Sequence, residues 1–226
     1  MIDQLLHPFQ FEFFVNGLMV ATLAGALCGL VGVYVVLRGM SYIGHGLSHA
    51  VFGGFAASVL TGVNYFLGAG AWGLASALMI NRVSRRRIIG ADAAIGVVTT
   101  ASFALGLALF ALFGHAGRNF DAALFGSILG VGDSDVLAVG FVTSIAAAIV
   151  FFAYRPLLFT SFDPEVADVS GVRTGRVDAL LMFALAASVL VTMRVLGVTL
   201  IAAALVIPPT VARMLTNSFK RMLLLS

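Results

Sequence analysis

Two histidines stand in an otherwise apolar stretch near the start of the chain, residues 40–50, which read Met-Ser-Tyr-Ile-Gly-His-Gly-Leu-Ser-His-Ala. If this stretch is helical, His45 and His49 lie four residues apart on one face, with Ser41 one turn before His45. Two imidazoles on one face can share a metal ion, and Ser41 is a candidate to support them from the same stripe. The other interpretation is that each histidine donates a hydrogen bond to a neighbouring helix.

The composition around these histidines is that of an integral membrane protein. Hydrophobic residues make up 61% of the chain and charged residues only 10%, and the mean hydropathy is +1.08. Several apolar stretches have the length that a helix needs to cross a bilayer, and they lack the period-two alternation of a barrel strand. We therefore predict an all-α, polytopic protein with a single transmembrane domain over residues 1–226.

A membrane environment sharpens the interpretation of the histidine pair. An ionisable side chain within a membrane segment indicates a functional site by default. Burial disfavours the charged imidazolium, so we expect His45 and His49 to be neutral and able to donate a lone pair to a cation. The single cysteine, Cys28, also lies within an apolar run, so no intrachain disulfide can form and we assign it no role.

Seven membrane spans are predicted from the apolar runs. They are residues 13–37, 43–61, 64–81, 93–113, 135–154, 179–194 and 196–214. With the N-terminus outside, eleven of the thirteen basic residues fall in inner segments, and only Arg118 and Arg194 lie outside. The positive-inside rule therefore places the N-terminus outside. Because the basic residues are distributed over several loops and form no single patch, we expect no nucleic-acid partner.

The longest polar interruption, residues 155–178, carries the signals of a short helix at the inner face. Asp163 can cap its start, Pro164 suits the first helical position, Glu165 is favourable in the first turn, and Gly171 is placed to end it. Apolar residues recur at three-residue spacing, at Val166, Val169 and Val172. Such a helix can dock into the groove of another protein or rest on the bilayer surface.

Two other interruptions are interpreted as structural. Residues 114–135 are expected to form a solvated outer loop with helix-capping aspartates, and we exclude them from the site. Its charged residues and histidine are His115, Arg118, Asp121, Asp133 and Asp135. Near the inner end of the last span, Pro208 and Pro209 remove two backbone donors, so they either kink the helix or end it before Arg213.

Taken in order, several stretches of the chain resemble the manganese/zinc/iron-type permease family of ABC importers. They are residues 29–38, 40–50, 92–107, 124–129, 162–172 and 205–213. The resemblance implies a transport pathway formed in the lipid bilayer by two copies of the chain. It implies a cytoplasmic ATP-binding subunit, an extracellular or periplasmic metal-binding protein, and a location in a bacterial-type cytoplasmic membrane. It also implies a transported divalent ion (zinc, manganese or iron) and no permanently bound cofactor.

The resemblance assigns roles to two stretches. The family places an acidic residue and a histidine on the pathway; His49 matches the histidine, and His45 stands where the aspartate is usual. An imidazole in place of a carboxylate moves the ligand set toward zinc, iron, copper or nickel and away from manganese. Residues 163–172 are then the coupling helix that is seated on the ATPase, with candidate residues Asp163, Pro164, Glu165, Ala167 and Gly171. Because family members generally continue through at least one more helix, we expect further sequence after Ser226.

The chain is not predicted to be an enzyme. A phosphate-binding loop requires Gly-x-x-x-x-Gly-Lys-Ser/Thr, whereas the one lysine, Lys220, is followed by Arg221. Energy must therefore come from a separate ATPase or from an ion gradient.

The residues allow comparison of a free-ion permease with three alternatives. A permease for a metal chelate stays open, as does a secondary transporter in which His45, His49 and Asp92 relay protons. The preferred interpretation of Asp92 is a charge at the N-terminus of a helix. An intramembrane metalloprotease is disfavoured, because its motif needs glutamate directly after the first histidine and Gly46 stands there.

Overall fold

The chain is almost entirely helical in the computed structural model, which describes residues 7–40, 42–85, 90–113 and 125–226. The helices are α1 (Glu12–Leu37), α2 (Ile43–Thr61), α3 (Tyr65–Arg85), α4 (Ala91–Phe113), α5 (Asp133–Phe152), α6 (Tyr154–Phe162), α7 (Pro164–Val169), α8 (Thr174–Leu215) and α9 (Phe219–Leu225). The predicted all-α class is confirmed. The long helices begin and end within a few residues of the predicted spans, because length and apolarity are local properties of the sequence.

Five of the described helices are long and apolar enough to cross a membrane. They are Glu12–Leu37, Ile43–Thr61, Asp92–Phe113, Asp133–Phe152 and Thr174–Leu215. Helix α3 is not among them, and the two predicted spans 179–194 and 196–214 both lie within α8. The count of seven spans therefore stays a prediction.

Helix α8 is interrupted at Gly197, whose φ of 73° and ψ of 162° are not helical. A positive φ is comfortable only for glycine, so this residue permits the break. Pro208 and Pro209 instead lie inside the helix, which continues to Leu215. The interpretation that the proline pair ends the span is therefore wrong. Pro209 deprives the Leu205 carbonyl of its usual intrahelical donor, and this carbonyl packs on α1.

Helix α2, which carries the histidines, packs against α3, α4 and α8. Glycines allow this close approach: a Cβ at Gly53 would overlap the Ser102 carbonyl oxygen of α4, and one at Gly44 would lie 3.0 Å from the Leu205 side chain of α8. Small residues at such contacts let helices approach closely in lipid and increase their van der Waals contact. The sequence around the histidines thus fixes α2 among three neighbours.

Replacing Gly32 by alanine is expected to destabilise the bundle, because the new Cβ would overlap the Leu205 carbonyl oxygen and lie 3.0 Å from Pro209 Cγ. Overpacking of this kind costs about 1–3 kcal/mol of unfolding free energy. Thermal unfolding of the detergent-solubilised chain measures the change. The matched control is Gly25→Ala in the same helix, where nothing lies within 4 Å of an added Cβ. Equal effects of the two variants would contradict the proposed α1–α8 contact.

Candidate functional site

The two histidines are neighbours in the first turns of α2, as the sequence predicts. Their ring centroids are 4.4 Å apart, with an interplanar angle of 74°. Rings at this separation can bring one nitrogen each to roughly 3.3 Å, the spacing of two ligands on a tetrahedral metal. Ser41, the third polar residue of the predicted stripe, lies outside the described residues.

One imidazole nitrogen of the pair has no hydrogen-bond partner among the described residues. His49 contacts Phe103 of α4, with ring centroids 4.6 Å apart, and His45 lies beside Tyr42 at 5.4 Å. The Nδ1 atom of His49 is buried, and no described residue gives it a hydrogen-bond partner. An unsatisfied buried polar atom costs about 1–3 kcal/mol. At this atom, the described residues do not supply the helix-to-helix hydrogen bond of the alternative interpretation.

Among the described residues, the candidate metal ligands of this site are the two histidines. Across the described ranges, no group of three or more His, Cys, Asp or Glu residues comes together in a way that could hold a metal ion. Two nitrogens fill half of a tetrahedral shell. The chemistry available here is therefore weak, incomplete coordination of a cation by two imidazoles.

Ser48 fixes the histidine helix to α8, a role that sequence reasoning missed. Its hydroxyl is fully buried and shares its single proton between two carbonyl oxygens, that of His45 at 2.8 Å and that of Val198 at 3.2 Å. Val198 directly follows the break at Gly197, so Ser48 joins the histidine pair to the irregular point of α8. The sequence signal for this role is a serine within an apolar stretch, because a buried hydroxyl needs a hydrogen-bond acceptor.

The predicted short helix is present as α7. The Val166 backbone N–H donates to the Asp163 carboxylate at 2.9 Å, Pro164 occupies the first helical position, and Glu165 lies in the first turn. After its end, Gly171 has a φ of 85°, as a glycine that terminates a helix commonly does. The predicted start and stop signals are confirmed.

Apolar side chains surround α7 at the surface. Val169 is 91% exposed, Phe162 62% and Val166 50%, whereas Ala167 is fully buried beneath them. Val172 departs from the predicted stripe, because it is half-buried and packs against a cluster of buried residues that includes Tyr34 and Leu157. The exposed apolar residues around a well-capped helix have the character of a docking surface.

At the opposite end of the helices, charged residues have structural partners. Asp135 pairs with Arg194 at 2.6 Å, and its carboxylate also accepts the Gly132 backbone N–H at 3.2 Å. The Asn16 amide donates to Asp133 at 2.8 Å. The capping role predicted for these aspartates is thus confirmed for Asp135. The remaining charged residues and the histidine predicted in the outer loop, namely His115, Arg118 and Asp121, lie outside the described residues.

Comparison with known proteins decides the family. Residues 10–226 match the family model described as the ABC 3 transport family. The chain belongs to this family. It is 34% identical over 224 residues to the manganese transport system membrane protein MntC of Halalkalibacterium halodurans, which covers 99% of this chain and 76% of MntC. It is also 34% identical over 223 residues to a probable iron transport system membrane protein of Haemophilus influenzae, covering 99% and 82%.

A solved structure agrees with this ABC 3 assignment. PsaBC from Streptococcus pneumoniae in complex with Fab superimposes with a TM-score of 0.86 at 34% identity, covering 100% of this chain and 81% of that one. The resemblance found in the sequence is confirmed at the level of the family. This ABC 3 chain is a permease subunit and a multi-pass protein of the cell membrane. The roles of its individual site residues stay predictions.

Replacing Ser48 by alanine is expected to destabilise this permease by about 1 kcal/mol more than a matched substitution, because it removes a hydrogen bond between α2 and α8. The control is Ser58→Ala, a buried serine of the same helix whose hydroxyl donates to the Gly54 carbonyl of that helix at 2.7 Å. Thermal unfolding in detergent compares the two variants. If they shift the unfolding temperature equally, the bond to Val198 has no role in stability.

Proposed function

We propose that this ABC 3 permease moves a divalent transition-metal ion, namely zinc, manganese or iron, across the cytoplasmic membrane. One observation carries the proposal: His45 and His49 lie side by side in the helix that packs against three others, with a buried imidazole nitrogen that no described residue satisfies. The names of its relatives, which refer to manganese and iron transport, support a metal ion as the substrate. Residues 1–226 act as one permease domain.

An incomplete ligand set is better suited to the transport of a metal ion than to its permanent binding. Two imidazoles leave coordination positions to be filled by water or by a second copy of the chain, and a loosely held ion can leave again. Both rings are only half-buried, so part of each faces away from the other helices of this chain. We infer that a second copy lies on that side and that the pathway runs between the two.

The coupling segment defines the cytoplasmic side of the proposed assembly. The exposed apolar residues around α7 support docking to a separate ATP-binding subunit, with Asp163, Pro164, Glu165, Ala167 and Gly171 shaping the helix. Basic residues concentrate at the same side, which supports an N-terminus on the outside. A metal-binding protein that delivers the ion then meets the opposite end, near Arg194.

Substitution of the histidines tests the site. His49→Ala is expected to abolish metal uptake by the reconstituted complex, because it removes the nitrogen that lacks a protein partner. His45→Asp is expected to shift preference toward manganese by roughly tenfold, since a carboxylate is a harder donor than an imidazole. Uptake is measured with zinc, manganese and iron in competition.

The control for the histidine variants is His7→Ala, which changes an exposed histidine before α1. It is expected to transport like the parent. If His45→Asp and His49→Ala also transport like the parent, the proposed site is wrong.

The cap of α7 gives a second test, directed at the ATPase partner. Asp163→Ala removes the acceptor for the Val166 N–H and is expected to destabilise the first turn of α7 by about 1 kcal/mol. The affinity for the ATP-binding subunit should then fall several-fold, as measured by titrating that subunit onto the permease in lipid nanodiscs. Asp163→Asn is the matched control, because asparagine caps equally well. If Asn weakens binding as much as Ala does, the cap is not what the partner requires.

A further inference from the structure

Arg38 joins three helices at the end of the molecule that carries α7. The residue caps the C-terminus of α1, and its guanidinium makes three hydrogen bonds. Nη1 donates to Asp178 of α8 at 2.6 Å, Nη2 to Thr160 of α6 at 2.8 Å, and Nε to Ser161 of α6 at 3.0 Å. The side chains of Arg38 and Asp178 are only 10% and 18% exposed, so this is a largely buried ion pair.

The hydroxyls of Thr160 and Ser161 are arranged as hydrogen-bond acceptors for the Arg38 guanidinium. Thr160 Oγ1 donates its proton to the Pro156 carbonyl at 2.8 Å, and Ser161 Oγ donates to the Leu157 carbonyl at 2.7 Å. A hydroxyl carries a single proton, so each oxygen has only lone pairs left to offer. The planar guanidinium, with donors in a fixed fork, matches this pair of acceptors and the Asp178 carboxylate together.

The two hydroxyl partners of Arg38 are close in sequence to α7, the helix proposed to dock onto the ATP-binding subunit. Thr160 and Ser161 lie in the last turn of α6, directly before Phe162 and the Asp163 cap of α7. A displacement of α7 by a bound partner would therefore move the two hydroxyls against Arg38.

Arg38 is also closely connected to the histidine helix. Gly39 follows with a φ of 65°, and the Met40 N–H closes the end of α1 by donating to the Val35 carbonyl at 3.0 Å. The Ile43 N–H in turn donates to the Met40 carbonyl at 2.8 Å, where α2 begins. Through these two bonds Met40 is joined both to the end of α1 and to the start of α2, so Arg38 is connected to α2 within a few residues of His45.

We propose that Arg38 is a positioning residue that transmits the position of the α6–α7 segment to the histidine-bearing helix α2. In this proposal Arg38 contacts neither the transported ion nor the nucleotide. It fixes the position of α6 and α7 relative to the helix that carries His45 and His49. The inference rests on the proposed function, because it takes α7 as the ATPase-docking helix and His45 and His49 as the metal site.

The most direct test removes the hydrogen bonds between Arg38 and α6 but keeps the ion pair between Arg38 and Asp178. The double variant Thr160→Val with Ser161→Ala removes both hydroxyl acceptors with little change in shape. In the complete complex, reconstituted in vesicles with zinc, manganese and iron as the probe ions, uptake and ATP hydrolysis are measured on the same sample. We expect the number of ions moved per ATP hydrolysed to fall about fivefold, with basal hydrolysis unchanged within about twofold.

A matched control exists in α5. Thr143 and Ser144 are also adjacent, and their hydroxyls make the same bonds to carbonyls four residues earlier, at 2.7 and 2.8 Å. Thr143→Val with Ser144→Ala therefore removes equivalent local bonds and should leave the ratio of ions to ATP unchanged. If the α6 variant lowers uptake and hydrolysis in proportion, or leaves the ratio as in the control, the role of Arg38 is refuted.

Arg38→Lys provides an independent readout. Lysine keeps the charge near Asp178 but replaces the planar fork by a single ammonium, so it cannot hold both helices in the same geometry. We expect the same loss of ions per ATP, whereas Arg213→Lys, an exposed arginine near the end of α8, should have no effect. An unchanged ratio in Arg38→Lys overturns the inference. If the unsubstituted complex itself moves no metal, the proposed function fails instead.

Discussion

Polar groups within a bilayer have no water to bond with, and this constraint organises the helices described here. Buried hydroxyls along the helices donate to carbonyls four residues earlier, as Ser188 does to Ala184 at 2.6 Å and Thr192 to Ser188 at 2.7 Å. Against that background, the few buried side-chain atoms without a partner stand out, and His49 Nδ1 is one of them. The exception coincides with a second imidazole on the same helix face. In the proposed function, a cation is the partner of both rings.

The histidine helix is held from two directions. On one side, Ser48 bonds to Val198 just after the break at Gly197, and the carbonyl of Arg194, just before the break, accepts the Ser127 N–H at 3.1 Å. Arg194 also pairs with Asp135, so the irregular backbone of α8 is anchored to α5. On the other side, the turn after Arg38 leads directly into α2. The histidine pair thus lies between an anchored helix break and a charged junction, and both are discrete contacts that can form or separate.

Much of this arrangement follows from local sequence. The lengths of the apolar runs predict the long helices, because crossing a bilayer depends on the residues of each run and not on its neighbours. The ends of α7 are equally local: Asp163 bonds within its own first turn, and Gly171 adopts its positive φ immediately after the last. The proximity of His45 and His49 needs only helical geometry over four residues. The sequence also sufficed for the family, since the motifs recur in order along the chain.

Other features depended on residues that are far apart in the chain, and no local pattern encodes them. Ser48 meets Val198, Arg38 meets Asp178 and Asp135 meets Arg194 only once the helices have packed. The break in α8 is partly local, because the predicted spans 179–194 and 196–214 already divide beside Gly197, whose positive φ only glycine adopts comfortably. The proline pair, the other local signal, stays inside the helix. By itself, the sequence determined the helices, the histidine pair and the capped helix α7, because each rests on contacts within a few residues. Only the tertiary structure decided which imidazole nitrogen lacks a partner and which charges join the helices, because those outcomes depend on how separate helices pack.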